Sequence, residues 1–208
     1  MCSGMMNVAL KITRELSALS EAGIANVERN DADARLVARI RAGDDDAFET
    51  LVGQYQAPLF RYLRGFVGDA EQARDLVQET FLRAYKSLGS LEDPAMLRSW
   101  LYRIAHNQAC SVLRRRRLIS WLPLLPAHQT GSPSPDRSAI EAARVEEALG
   151  RVPTDQRAPL LMHLVAGFSY AEIAALLNVT EGTVRMRISR GRAAFRAAYG
   201  AGENDDAS

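Results

Sequence analysis

Ser169-Tyr-Ala-Glu-Ile-Ala-Ala-Leu-Leu-Asn178-Val-Thr180-Glu-Gly-Thr-Val184-Arg-Met-Arg-Ile188-Ser-Arg190 is the stretch that decides how this chain is read. Its apolar residues recur three and four apart, as on a helix, and the recurrence is broken once, around Asn178. Ala174 is small where two crossing backbones come closest. Asn178 stands where the turn needs a positive φ, a conformation Gly takes most easily and Asn next. Thr180 can cap a second helix, with Glu181 in its first turn. Ile173, Leu177, Val179, Val184 and Ile188 supply a shared core, so the pattern predicts a helix-turn-helix. The outer face of its second helix carries Arg185, Met186, Ser189, Arg190 and Arg192 behind Thr180, Glu181 and Thr183. A recognition helix sets its N-terminal residues against base edges and its flanking cations on phosphates. The competing reading is an αα-hairpin that packs on another element.

Outward from this motif the chain is helical in both directions. Val77, Phe81, Ala84, Tyr85 and Leu88 fall on one stripe of Asp69–Leu88, and Leu101, Ile104, Ala105 and Val112 on one stripe of Ser99–Arg117. Asp69 followed by Glu71 and Gln72, Asp93 followed by Pro94, and Thr154-Asp155 after Pro153 are start signals. Ile119–Asp136 holds four prolines in 18 residues, which disfavours helix and strand alike. The expectation is an all-α fold of two small helical domains joined by a flexible linker. Its divisions are an N-terminal extension 1–30, a helical domain 31–118, the linker 119–136, the helix-turn-helix domain 137–199 and a disordered tail 200–208. Within the extension, Ile12, Leu16 and Leu19 are in phase for a further short helix, and Met5 and Met6 offer alternative starts.

Composition excludes several classes of function. The 208 residues carry 26 Lys+Arg against 25 Asp+Glu, a net charge of +1, with Cys2 and Cys110 as the two cysteines and three histidines scattered along the chain. Neither a disulfide framework nor a zinc quartet can be built from these, and the reading is no metal and no cofactor. No apolar run approaches the roughly 18 residues of a membrane span. A cytoplasmic setting without membrane insertion is expected.

The charge of +1 hides opposite charges kept apart. Arg98–Leu118 contains six arginines and no acid, Gly182–Tyr199 contains five and no acid, and Asp69–Asp93 contains six acids against three bases. Arginine's planar fork suits phosphates and guanine edges. A solvated face explains one such helix as well; two acid-free basic helices point to nucleic acid.

Asp46-Ala-Phe-Glu-Thr-Leu-Val, Asp75-Leu-Val-Gln-Glu-Thr-Phe-Leu-Arg-Ala-Tyr85, Ser99-Trp-Leu-Tyr-Arg-Ile-Ala-His-Asn107, Gly167-Phe-Ser-Tyr-Ala-Glu-Ile-Ala and Gly182-Thr-Val-Arg-Met-Arg-Ile-Ser-Arg-Gly-Arg192 then occur in order. Together they resemble the bacterial RNA polymerase sigma factors of the extracytoplasmic-function (ECF) type over about residues 33–199. The resemblance implies a transcription initiation factor, not an enzyme, whose partners are core RNA polymerase (the β′ clamp and β subunits), promoter DNA and an anti-sigma factor. It assigns Asp75, Leu76, Gln78, Glu79 and Leu82 to polymerase docking, where charge alone leaves a soluble surface as an equal reading. It assigns Arg98, Arg103, His106, Asn107, Arg114, Arg115, Arg116 and Arg117 to reading and opening the −10 element. Opening needs cations for the single-stranded backbone and a site for an extruded base. Trp100 and Tyr102 can stack on bases, although their helical spacing also suits a core. Thr180, Glu181, Thr183, Arg185, Met186, Ser189, Arg190 and Arg192 become the readers of the −35 element. Two features depart from the family: Met186 stands where a small polar residue is commoner, and the linker carries Ile119, Trp121, Leu122, Leu124 and Leu125 with no acid before Asp136. A stand-alone helix-turn-helix regulator is the alternative function, and on that reading the acidic docking helix has no purpose. An enzyme on nucleic acid finds little support, since nothing near Asp75 and Glu79 completes a metal-ligand set.

Overall fold

The computed structural model of the chain describes residues 28–119 and 137–205. Among them are eight helices and no strand, the expected all-α fold: α1 (28–41), α2 (Asp45–Val67), α3 (Ala70–Ser87), α4 (Leu97–Ile119), α5 (Arg137–Arg151), α6 (Thr154–Leu164), α7 (Tyr170–Leu177) and α8 (Glu181–Asp205). The N-terminal helix expected around Ile12, Leu16 and Leu19, and the linker's apolar residues from Trp121 to Leu125, lie outside the described residues.

Short polar residues start these helices. Asp44 accepts from the Ala47 amide (3.2 Å) to cap α2, and Asp69 accepts from the Gln72 amide (3.1 Å) to cap α3. Gly68, at φ 71°, closes α2 and lets the chain reverse into α3. Asp93 caps a 3₁₀ turn, Pro94–Met96, and α4 follows at Leu97, so the expected start signal acts one turn ahead of the long helix. Helix α8 runs to Asp205, well into the segment read from sequence as a disordered tail. Its alanines at 193, 194, 197, 198 and 201 favour helix enough to carry it past Gly200.

In the first half, Leu51, Tyr55, Leu59, Tyr62, Leu63 and Phe66 of α2 bury one stripe against Ala73, Val77, Phe81 and Ala84 of α3 and Leu97, Leu101 and Ala105 of α4. Helix α1 adds Leu36 and Val37, and its buried Asp33 accepts hydrogen bonds from Tyr55 and Gln54. Tyr85, grouped with the buried stripe on spacing, is 59% exposed and meets the edge of Phe48 instead.

In the second half, α5, α6, α7 and α8 enclose Leu160, Leu161, Met162, Phe168, Ile173, Leu176, Val184 and Ile188. Gly191 lets α8 lie close on α6, since a Cβ there would stand 3.1 Å from the Gln156 carbonyl oxygen. The two apolar interiors are continuous: α2 packs on α5 and α6, and α4 on α7.

Candidate nucleic-acid interface

The helix-turn-helix is held by local bonds. Ser169 and Glu172 form a reciprocal capping box: the Glu172 amide donates to the Ser169 hydroxyl (3.2 Å) and the Ser169 amide to the Glu172 carboxylate (2.8 Å). Asn178 adopts φ 54°, and the Val179 amide donates to the Ala174 carbonyl (3.0 Å). Thr180 accepts from the Thr183 amide (3.2 Å) and thereby starts α8. Ile173, Val184 and Ile188 are buried as the spacing requires; Leu177 and Val179 lie half-buried against that core, and Leu176 takes an inner place that the spacing did not select.

With Val184 and Ile188 pinned inward, the opposite side of α8 faces solvent. Met186, Ser189 and Arg190 are exposed there, Thr180, Glu181, Arg185 and Arg192 are exposed to either side of it, and Thr183 is half-buried with its hydroxyl on that of Thr180 (2.9 Å). Arg185 lies 5.9 Å from the Tyr170 ring centre, which orients it without covering it. Arg187 turns the other way, to Asp155 on α6 (3.9 Å). Within the first four turns of α8, Arg185, Arg190 and Arg192 are therefore exposed cations, with no carboxylate after Glu181.

Helix α4 treats its cations unequally. Arg103, Asn107, Arg114, Arg115, Arg116 and Arg117 are exposed, and Arg116 is braced by Asp69 (2.9 Å) and the Val67 carbonyl (3.2 Å). Arg98 is 8% exposed: its guanidinium donates to the Ala166 carbonyl, stacks 3.8 Å from the Phe168 ring centre and faces Glu172 at 3.9 Å. His106 points inward as well, with Nδ1 sharing a 2.9 Å hydrogen bond with the Tyr62 hydroxyl and its ring 5.3 Å from that of Phe66. Burial pushes its pKa down from 6.5 to about 4, so the ring is neutral at pH 7. Tyr102 is buried against Phe168, and Trp100 is half-buried on the core. In this conformation the base-stacking role foreseen for Tyr102 has no open ring face.

On α3, Asp75, Gln78 and the 55%-exposed Leu82 lie on one outer face, beside Glu79, which pairs with Arg83 (2.7 Å). Leu76, grouped with them on sequence, is buried in the core. Tyr85 extends the exposed apolar part of this face; its one sequence signal was a position at the edge of the helical stripe, about 80° round from Val77 at 100° per residue. Met96, 53% exposed ahead of α4, is a second outward apolar residue that spacing did not select. Among the described residues, no group of three or more His, Cys, Asp or Glu could hold a metal ion, and no helix is long and apolar enough to cross a membrane.

These elements match two family models, sigma-70 region 2 over residues 51–119 and sigma-70 region 4 over residues 142–195. The chain is similar to the RNA polymerase sigma-H factor of Pseudomonas aeruginosa, with 35% identity over 176 residues covering 78% of this chain and 91% of that protein. It is also similar to the ECF RNA polymerase sigma factor SigM of Mycobacterium tuberculosis, with 37% identity over 164 residues covering 78% and 82%. Among solved structures, CnrH in complex with the cytosolic domain of CnrY superposes with a TM-score of 0.66 at 28% identity, covering 82% of this chain and 98% of that one. The sigma factor RpoE of Bartonella quintana, solved with the anti-sigma factor NepR, shares the fold with a TM-score of 0.63 at 24% identity, over 73% and 95%.

Proposed function

Because the chain belongs to the sigma-70 family of RNA polymerase sigma factors, in its extracytoplasmic-function group, we propose that it binds core RNA polymerase, reads promoter −35 and −10 elements and helps to open the −10 DNA, with no chemistry of its own. The observation that carries this reading is the outer face of α8. A helix whose inner face is locked by Val184 and Ile188 offers Arg185, Arg190 and Arg192 to solvent, with Met186 and Ser189 exposed between Arg185 and Arg190, the kind of surface with which a recognition helix meets base edges and phosphates. Thr180, Glu181 and Thr183 at its N-terminus complete the −35 reader.

Arg103, Asn107 and Arg114 to Arg117 form the exposed cationic track for the −10 strand, while Arg98 and His106 join it only if α4's surroundings change. Asp75, Gln78, Glu79 and Leu82, with Tyr85 beside them, are the face offered to the β′ clamp, and Leu76 acts from beneath by fixing α3. The docking occurs in the cytoplasm with polymerase. An anti-sigma factor is the expected regulator, in keeping with the RpoE structure solved with the anti-sigma factor NepR and the CnrH structure solved with the cytosolic domain of CnrY.

Run-off transcription with purified chain, core polymerase and a pool of genomic promoters tests the proposal, with start sites mapped from the products. The expected result is initiation downstream of one shared pair of elements. No initiation on any promoter would sink it. Retained duplex binding without capture of core polymerase would favour a stand-alone helix-turn-helix regulator, and charge reversal at Asp75 and Glu79 serves as the docking control.

A further inference from the structure

Among the described residues of α8, Met186 is the one large apolar side chain that stands exposed, at 44%. The others are packed: Val184 and Ile188 are buried, and Phe195 and Tyr199 are half-buried with their rings stacked at 5.7 Å. At about 100° per residue, Met186 lies about 180° round from the midpoint of Val184 and Ile188, so the packing of α8 aims it straight outward. Arg185 and Arg190 fall on opposite sides of it, about 100° and 40° away, and Arg185 lies toward the Tyr170 ring. The outward line along the helix is otherwise shallow. Gly182, one turn earlier, has no side chain, and a Cβ there would meet only the Thr180 hydroxyl, at 3.9 Å. Ala193, about two turns later, is exposed and small. The middle of the outer face is therefore a single thioether that a second surface can approach closely.

A helix lying in the major groove brings its outermost side chains nearest to the base edges. Those edges are rows of hydrogen-bond donors and acceptors with one apolar exception, the C5 methyl of thymine. A thioether donates no hydrogen bond and accepts one only weakly. Set over N7 and O6 of guanine or N4 of cytosine, it displaces water from polar atoms and leaves them unpaired. Set over a thymine methyl, it takes two apolar groups out of water together. Its three rotatable bonds let the sulfur and terminal methyl settle on that group without disturbing the helix. Attraction to one base pair and a penalty on the others act in the same direction, which is how a contact discriminates.

We propose that Met186 is a specificity-determining residue of α8: its thioether packs on the C5 methyl of one thymine in the −35 element, and the element requires a T·A pair at that position. The proposal rests on the reading of α8 as the −35 reader given above. Serine in place of Met186 would remove the apolar contact and supply a hydroxyl, which bonds to several base edges and excludes none of them strongly.

The test removes the methyl from the DNA and the thioether from the protein, singly and together. Holoenzyme carrying the wild-type chain selects its −35 element from a pool of duplexes of random sequence. Each thymine of that element, on either strand, is then replaced by deoxyuridine, which lacks only the C5 methyl. At one position the replacement should weaken binding of wild-type holoenzyme about fourfold, the factor for one buried methyl group. Met186→Ser should bind the thymine duplex more weakly and show no difference between thymine and deoxyuridine there. Met186→Leu, still apolar, should keep most of the difference. Thermal unfolding of the free chains should give equal midpoints, because Met186 is outside the core. An enriched element without a thymine overturns the proposal, as does a deoxyuridine effect that is the same for wild type and Met186→Ser at every position. In either case α8 remains the −35 reader and only the role of Met186 falls. If holoenzyme enriches no element at all, the reading of α8 falls and the role of Met186 with it.

Discussion

Helices α4 and α8 are both acid-free along their basic stretches and differ by a single arginine in count, yet the fold uses them differently. In α8 the inward positions are Val184 and Ile188, and the arginines of the reading face stay in water. In α4 the inward positions include Arg98 and His106, and only the stretch from Arg114 onward is a continuous exposed cationic run. Charge along a helix therefore reports how much cation is present. Which cations can meet a phosphate is decided by what packs on the helix.

The largest expected effect follows from His106. Its folded-state pKa of about 4 lies below the unfolded value of 6.5, so the unfolded chain binds the proton more readily. Stability is fully present above pH 6.5 and is lost as pH falls toward 4, by about 3 kcal/mol for this residue alone. Chemical denaturation of the wild type and His106→Gln at pH 7 and pH 4.5 measures it. The variant should lose less stability between the two pH values; an equal loss would show that His106 titrates freely and belongs to α4's exposed face after all.

Arg98 and Arg103 give a smaller contrast within one helix. Arg98→Ala leaves the Ala166 carbonyl without its donor and uncovers Phe168, which costs roughly 1–3 kcal/mol in the free chain. Arg103→Ala removes an exposed side chain and should change stability by less than about 0.5 kcal/mol. Thermal unfolding of the two variants side by side checks the contrast, and equal midpoints would erase the distinction between α4's two kinds of arginine.

Why α8 could be read from its sequence and α4 could not is a matter of range. The capping box at Ser169, the left-handed Asn178 and the Thr180 cap are each set by residues within five positions of one another, so spacing suffices to place them. Arg98 owes its burial to a carbonyl 68 residues away, across a segment whose prolines suggested only separation. Tyr85 fails for a related reason: at the margin of the α3 stripe, its neighbour Phe48 on α2 decides which way it turns. Leu76 shows the reverse case, a residue grouped with an exposed docking face by its motif and taken inward by the helical period.

The smallest effect separates the two helices by the form of DNA each is proposed to touch. Neutralising a phosphate contact releases condensed counterions, and each contact contributes about 0.9 to the salt slope on duplex DNA but about 0.7 on a single strand. Arg190→Ala in holoenzyme, measured on a duplex carrying the −35 element, should therefore flatten the slope of log affinity against log salt by about 0.9. Arg115→Ala, measured on a single-stranded −10 oligonucleotide, should flatten it by about 0.7. Each variant should leave the slope on the other DNA unchanged, because the two residues lie on different helices and neither touches the interface between the halves. A variant that alters both slopes would mean that α4 and α8 share one nucleic-acid surface, and the division of labour between them would have to be abandoned.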